Sequence, residues 1–185
     1  MAKSIEATPE DVQTHHALTQ AMGLIDLDVV KQEWDEAEET LWLYCLPRWG
    51  VDVCPECGNL ATRIHDYPEQ RQVHDAPLRG SKTMLVFDVH RLRCDHCRHV
   101  FTLRLRDIVA DCTYTKRLAR EISDPVRKQD VQTLSGVYRI GYKTVESIVL
   151  KASEAKTAQR QASPVVVKQL GIDEISNRKG QGNYV

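Results

Sequence analysis

The sequence predicts an α+β, multi-module fold, β-rich up to about residue 112 and helical after it. Three observations carry that expectation. Apolar and polar residues alternate through much of the first part, and two C-x2-C pairs sit among the alternating stretches. Near residue 113 the apolar spacing changes to that of helices. A strand-like run, Val165 to Glu174, follows a linker at Gln159 to Pro164.

Composition sets the outer limits. The chain has 185 residues, 42% hydrophobic and 28% charged, which suits a folded globular protein rather than a disordered one. No stretch approaches the roughly 20 apolar residues of a membrane span, so no membrane partner is expected. The N-terminal residues lack the apolar centre of a secretory signal. A reducing, cytoplasmic setting is the expectation, and the six cysteines then read as metal ligands or thiols rather than disulfides.

The net charge of −1 hides an asymmetry. Residues 1–53 carry 3 basic and 11 acidic side chains, whereas residues 79–120 carry 10 basic and 4 acidic. A basic middle behind an acidic head can meet phosphate, or can simply be a solvated surface.

In chain order, residues 1–22 read as a helix or a loose arm. Leu24–Val30 and Leu41–Leu46 flank the polar DEAEE and read as a β-hairpin ending at Pro47. Thr83 to Leu92 alternates as one strand after a turn at 79–82, and Val100 to Leu105 reads as another. Thr115–Ser123 is a short helix stopped near Pro125. Helical segments follow at 129–139 and 142–156. The module boundaries are 1–49 for the arm and hairpin, 50–112 for the cysteine module, 113–158 for the helices, and 159–185 for the linker and tail.

The strongest chemical signal is Cys54-Pro-Glu-Cys57-Gly with Cys94-Asp-His-Cys97, separated by 36 residues. Each pair places two thiolates on one tight turn, and two such turns make a closed tetrahedral Zn(II) site, structural rather than catalytic. Gly58 suits the turn because glycine accepts positive φ. A redox C-x-x-C is the rival reading, and it ordinarily comes as one pair beside a βαβ pattern. Cys45 and Cys112 read as buried or incidental thiols. His65, His74, His96 and His99 read as surface or hydrogen-bonding residues.

Residues 129–155 fit a helix-turn-helix. One helix presents Val131, Leu134, Val137 and Tyr138, with Ser135 and Gly136 small where two helices approach. Ile140-Gly141 forms the turn. The second helix buries Val145, Ile148, Val149, Ala152 and Ala155 and turns Lys143, Thr144, Ser147 and Lys151 outward, able to face a major groove of double-stranded DNA. Lys116, Arg117 and Arg120 on the preceding helix then lie near phosphates. The bland alternative is an ordinary pair of core helices.

Taken in order, these features resemble the N-terminal part of bacterial insertion-sequence transposases of the ISL-three family. The resemblance covers about residues 50–185. It rests on CPECG at 54–58, HD at 65–66, VHDAPLRG at 73–80, HRLRCDHC at 90–97, VFT at 100–102, GYKTV at 141–145, LGIDE at 170–174 and RKG at 178–180. It implies a zinc-binding domain, a helix-turn-helix and the first strand(s) of an incomplete RNase H-like DDE domain. In such enzymes three carboxylates hold two divalent ions, such as Mg(II), and drive nicking and strand transfer at the element ends. Asp173 falls where the family has its first catalytic aspartate, while Glu174 does not correspond to the later catalytic glutamate.

A lone Asp173 cannot hold two metals, so this chain is expected to be a truncated transposase that binds terminal inverted repeats and does not cut DNA alone. Self-association or pairing with the full-length enzyme fits the need to join two element ends. A stand-alone regulator of transposition, a zinc ribbon used for protein contacts and a thiol oxidoreductase are the other readings.

Overall fold

Thr8 starts the first helix. Its hydroxyl accepts from the Asp11 amide while the Asp11 carboxylate accepts from the Thr8 amide, a reciprocal cap that fixes α1 over Pro9–Met22. Pro9 suits the first turn, where its missing N–H costs nothing, and Gly23 at φ 65° ends the helix. The computed structural model describes residues 5–67, 69–124 and 129–162.

The expected hairpin is present as β1 (Leu27–Asp35) against antiparallel β2 (Thr40–Pro47). The Asp35 carboxylate accepts from the Ala37 and Glu38 amides and so builds the turn locally. β2 also pairs in parallel with β7 (Ser81–Asp88), and β7 pairs with β6 (Gln70–Leu78). The resulting sheet has the order β1-β2-β7-β6, so its strands come from both sides of residue 50. Arg79 and Gly80, both at positive φ, close the β6–β7 hairpin with the handedness that matches strand twist. One face of the sheet buries Leu27, Val29, Leu43, Val73, Leu85 and Phe87 under Met22 of α1.

A smaller ribbon is made from short strands. β3 (Asp52–Val53) pairs with β4 (Leu60–Ala61), and β8 (Arg91–Arg93) lies between β5 (Arg63–Asp66) and β9 (Val100–Thr102). The single strand expected over Thr83–Leu92 is therefore two. The break at Val89 and His90 carries the chain from one sheet to the other, with the Val89 amide donating to Glu69 and the His90 carbonyl accepting from Leu103. β9 stops at Thr102 rather than Leu105, because Leu103 and Leu105 turn into the apolar clusters. The long spacer between the cysteine pairs is accounted for as well. β6 and β7 leave the ribbon, add two strands to the larger sheet and return.

Three helices follow. Thr115 caps α2 (Lys116–Ser123) and Asp130 caps α3 (Val131–Tyr138), each side chain accepting a third-residue amide. α4 spans Tyr142–Ala162. Leu118, Ile122, Leu134, Tyr138, Ile140, Val145 and Ile148 close a separate core with Ala76 of β6.

Several details differ from the sequence expectation. A Cβ added at Gly136 would meet nothing within 4 Å, so no close helix approach depends on it. Val137 is exposed rather than in the core, as is Ala155. α3 ends on Arg139, in the left-handed region at φ 52°, just ahead of the expected Ile140-Gly141 turn. Helix continues to Ala162 through the start of the expected linker, since 142–162 contains strong helix formers and no glycine or proline. Residues 151–162, the last part of α4, fall in a second compact unit distinct from residues 1–150. The strand-like run from Val165, Asp173 and Glu174 lie outside the described residues.

Candidate metal centre and nucleic-acid interface

Two similar knuckles build the metal centre. In the first, the Cys54 amide donates to the Asn59 carbonyl and the Gly58 amide donates to the Cys54 carbonyl. In the second, the Cys94 amide donates to His99 and the Arg98 amide to Cys94. Gly58 at φ 71° and Arg98 at φ 63° hold the same left-handed place in each turn. The glycine is legible in the sequence; its arginine counterpart is not.

The knuckles bring Cys54, Cys57, Cys94 and Cys97 together with all four sulfurs within 4.8 Å of one another. Cys54 Sγ lies 3.6 Å from Cys97 Sγ, and Cys57 Sγ lies 3.6 Å from Cys94 Sγ. A tetrahedron with Zn–S bonds of about 2.3 Å has sulfur–sulfur edges of roughly 3.8 Å, so the donor set fits zinc in kind, number and spacing. Cys45 and Cys112 are buried elsewhere, and among the described residues no histidine joins the cluster.

Electrostatics also call for a cation. Hydrogen bonds from the Asn59 side chain and backbone amide draw the Cys57 thiol down to about 6. The His99 amide favours the Cys97 thiolate, but desolvation and the neighbouring Cys54, Cys57 and Cys94 push it up to about 12. Four thiolates cannot crowd together uncompensated, and a divalent ion removes that conflict. Ala61, Leu92 and Leu103 cover the inner side of the cluster.

The residues expected to touch DNA are placed less uniformly. Lys143 is exposed at the start of α4, with Thr144 and Ser147 half-buried beside the buried Val145 and Ile148. Three residues, 139–141, separate α3 from α4, a length that suits a helix-turn-helix. Arg139 forms an ion pair with Glu39 at the β1–β2 turn. Lys116 and Arg120 are exposed on α2. Arg117 is engaged internally: it donates to the buried Asp75 carboxylate at 2.6 Å and to the Ala76 carbonyl at 2.9 Å. Lys151 belongs to the second unit and is exposed there.

Sequence reasoning missed the acids that organise these modules. Asp107 is buried and accepts from the Ile25 and Asp26 amides, while Asp26 accepts from the backbone and guanidinium of Arg106. Burial opposes the charge on Asp26, but Arg106 outweighs it and holds the carboxyl below its usual range. Nothing local marks these pairs, which join residues about eighty apart.

Residues 50–97 match the family model of the zinc-finger of transposase IS204/IS1001/IS1096/IS1165. The chain is also 27% identical, over 82% of its length, to the transposase for insertion sequence element IS1001 of Bordetella parapertussis. It spans about 37% of that relative. No solved structure matches.

Proposed function

We propose, for a chain related to the ISL3-type transposases and carrying their zinc ribbon, that it binds the DNA ends of an insertion element in a zinc-dependent manner. The observation that carries this reading is the four-sulfur cluster within the 50–97 match, whose spacing fits a closed zinc site. When bound, zinc supplies no reaction step; it cross-links the two knuckles.

The chain's own residues then do the binding. The ribbon holds its arginines on short strands that are too small to stand without a cross-link. α3 and the first part of α4 form the helix-turn-helix in this reading, with Lys143, Thr144 and Ser147 reaching the major groove. Lys151, in the second unit, is taken by itself as a further DNA contact. Lys116 and Arg120 neutralise phosphates, while Arg117 keeps α2 seated on β6. Asp173 is, in this reading, the first carboxylate of the catalytic centre, to be completed by two further carboxylates and Mg(II). Two copies, or one copy and a longer transposase, would hold the two ends.

The test is a gel-shift titration of the zinc-loaded chain on duplexes carrying insertion-element inverted repeats, against random duplexes, in about 50 mM to 200 mM salt. Binding should weaken steeply with salt, since phosphate neutralisation dominates such affinities. Stripping the metal with a chelator should abolish the shift, and adding Zn(II) should restore it. Full affinity after stripping, or no shift even at low salt, overturns the proposal.

A further inference from the structure

The outer face of the ribbon sheet carries two cross-strand rows. In one, Asp66 of β5 stands opposite Arg91 of β8, and Thr102 of β9 follows. The Arg91 guanidinium donates two hydrogen bonds to the Asp66 carboxylate, and the row is neutral. In the other row, Arg63 stands directly opposite Arg93, and Val100 follows. Ile64 and Leu92, between the rows, point the other way, and Leu92 is buried in the ribbon core.

Directly opposed residues on antiparallel strands hold their Cβ atoms about 5 Å apart, and like charges there destabilise the pair. The fold does little to relieve this. Among the described residues Arg63 forms an ion pair with Asp95 alone, at 3.9 Å, and both side chains are 67% exposed. Such a pair is screened by water and salt and contributes little. Among the described residues Arg93 has no ion-pair partner. The same sheet shows that an acid across from arginine is structurally available, because the neighbouring row has one.

We propose that Arg63 and Arg93 form a phosphate-binding site on the outer face of the ribbon, contacting the backbone of a DNA duplex separately from the α4 surface. The inference rests on the DNA-binding reading above and adds to it a site on a different module. Two arginines paired across neighbouring strands on one face of the sheet suit a polyanion backbone, and such contacts position a duplex without reading its sequence. The retained repulsion is relieved when phosphate lies across the pair.

Arg63→Asp is the decisive variant. It places a carboxylate across from Arg93 and repeats the Asp66–Arg91 arrangement, so the ribbon should keep its zinc and melt no earlier than the parent. DNA binding by the full zinc-loaded chain is then measured against salt, on inverted-repeat and random duplexes alike. The slope of log affinity against log salt should fall by about 1.8, the loss of two phosphate contacts at about 0.9 each, and equally on both duplexes. Arg63→Gln with Arg93→Gln should give the same fall.

An unchanged slope with binding retained overturns the site while leaving the DNA-binding reading intact. A loss confined to the inverted repeat also overturns it, because the residues would then read bases. Loss of zinc from Arg63→Asp overturns it in favour of a structural role. If the parent chain shifts neither duplex at low salt, both readings fall together.

Discussion

The Asp75 carboxylate is fully enclosed and is held by Arg117 at 2.6 Å and by the Thr115 hydroxyl at 2.6 Å. Asp75 lies on β6 and Thr115 caps α2, so one acid ties the first turn of the helical module to the edge of the large sheet. Arg117 also donates to the Ala76 carbonyl, next to the acid it neutralises.

Removing one partner of a buried pair leaves the other uncompensated, which costs about 3–5 kcal/mol when both are buried. Arg117 is 31% exposed and can turn to water, so its truncation is the milder change. Arg117→Ala should therefore cost more than the usual 0–1 kcal/mol of a surface pair, because Asp75 stays enclosed and loses its cation. Asp75→Asn should cost less than Asp75→Ala, since the amide keeps an acceptor for Thr115. Urea unfolding of the zinc-loaded chain measures all three, and a cost within 0.5 kcal/mol for Arg117→Ala would remove the pair from the account of how α2 is held.

The metal centre predicts a sharp division among the six cysteines. Cys97→Ser or Cys54→Ser should lower bound zinc from one per chain towards none and unfold the ribbon, because such small sites fold with their metal. Cys45→Ser, in the core of the large sheet, should leave zinc stoichiometry unchanged while lowering stability. Atomic absorption on dialysed protein separates the two outcomes. Equal zinc loss from Cys45→Ser would contradict the four-sulfur assignment.

How much of this was legible in sequence follows from how local each signal is. The cysteine pairs and the polar turn between β1 and β2 act over two to four residues, and they can be read directly, whereas the capping roles of Thr115 and Asp130 came from the structure. The parallel pairing of β2 with β7 joins residues about forty apart and has no local mark, so the shared sheet was hidden. Thr83–Leu92 looked like one strand because Val89 keeps the alternation while the backbone changes sheets. The roles of Asp75, Asp26 and Asp107 were invisible for the same reason: their partners lie forty to eighty residues away. In Arg117, the charge was legible but its engagement was not.

The two knuckles place different residues at the same left-handed backbone position, and that difference is measurable. Arg98 adopts φ 63° where Gly58 adopts φ 71°. A side chain in the left-handed region costs roughly 1–2 kcal/mol, while glycine in the unfolded chain gives back about 0.5–1 kcal/mol. Arg98→Gly should thus be neutral to stabilising by about 1 kcal/mol, and Gly58→Ala destabilising by a similar amount, with zinc retained in both. Thermal melts of the loaded protein check the pair. A destabilising Arg98→Gly would mean that the Arg98 side chain contributes more than its backbone strain costs.

His74 gives the pH dependence its sign. It lies on β6 with its amide donating to Thr113 and its carbonyl accepting from Thr115, and among the described residues its Nδ1 is buried without a partner. Burial first, and then the charge of Lys82, hold its pKa below the ordinary value of about 6.5. The unfolded chain therefore takes up the proton more readily than the folded one. Stability is fully present above about pH 6.5 and is lost as pH falls from there through the lowered folded value. Zinc loss contributes in the same direction, since the thiolates also take up protons in acid. His90, likewise lowered by burial, adds to the slope. The informative comparison is His74→Gln against the parent, both zinc-loaded, melted between pH 7.5 and 5.5. The variant should lose less stability over that interval, because a group that must stay neutral has been replaced by one that cannot charge. Parallel pH profiles would show that His74 is protonated as easily in the fold as out of it.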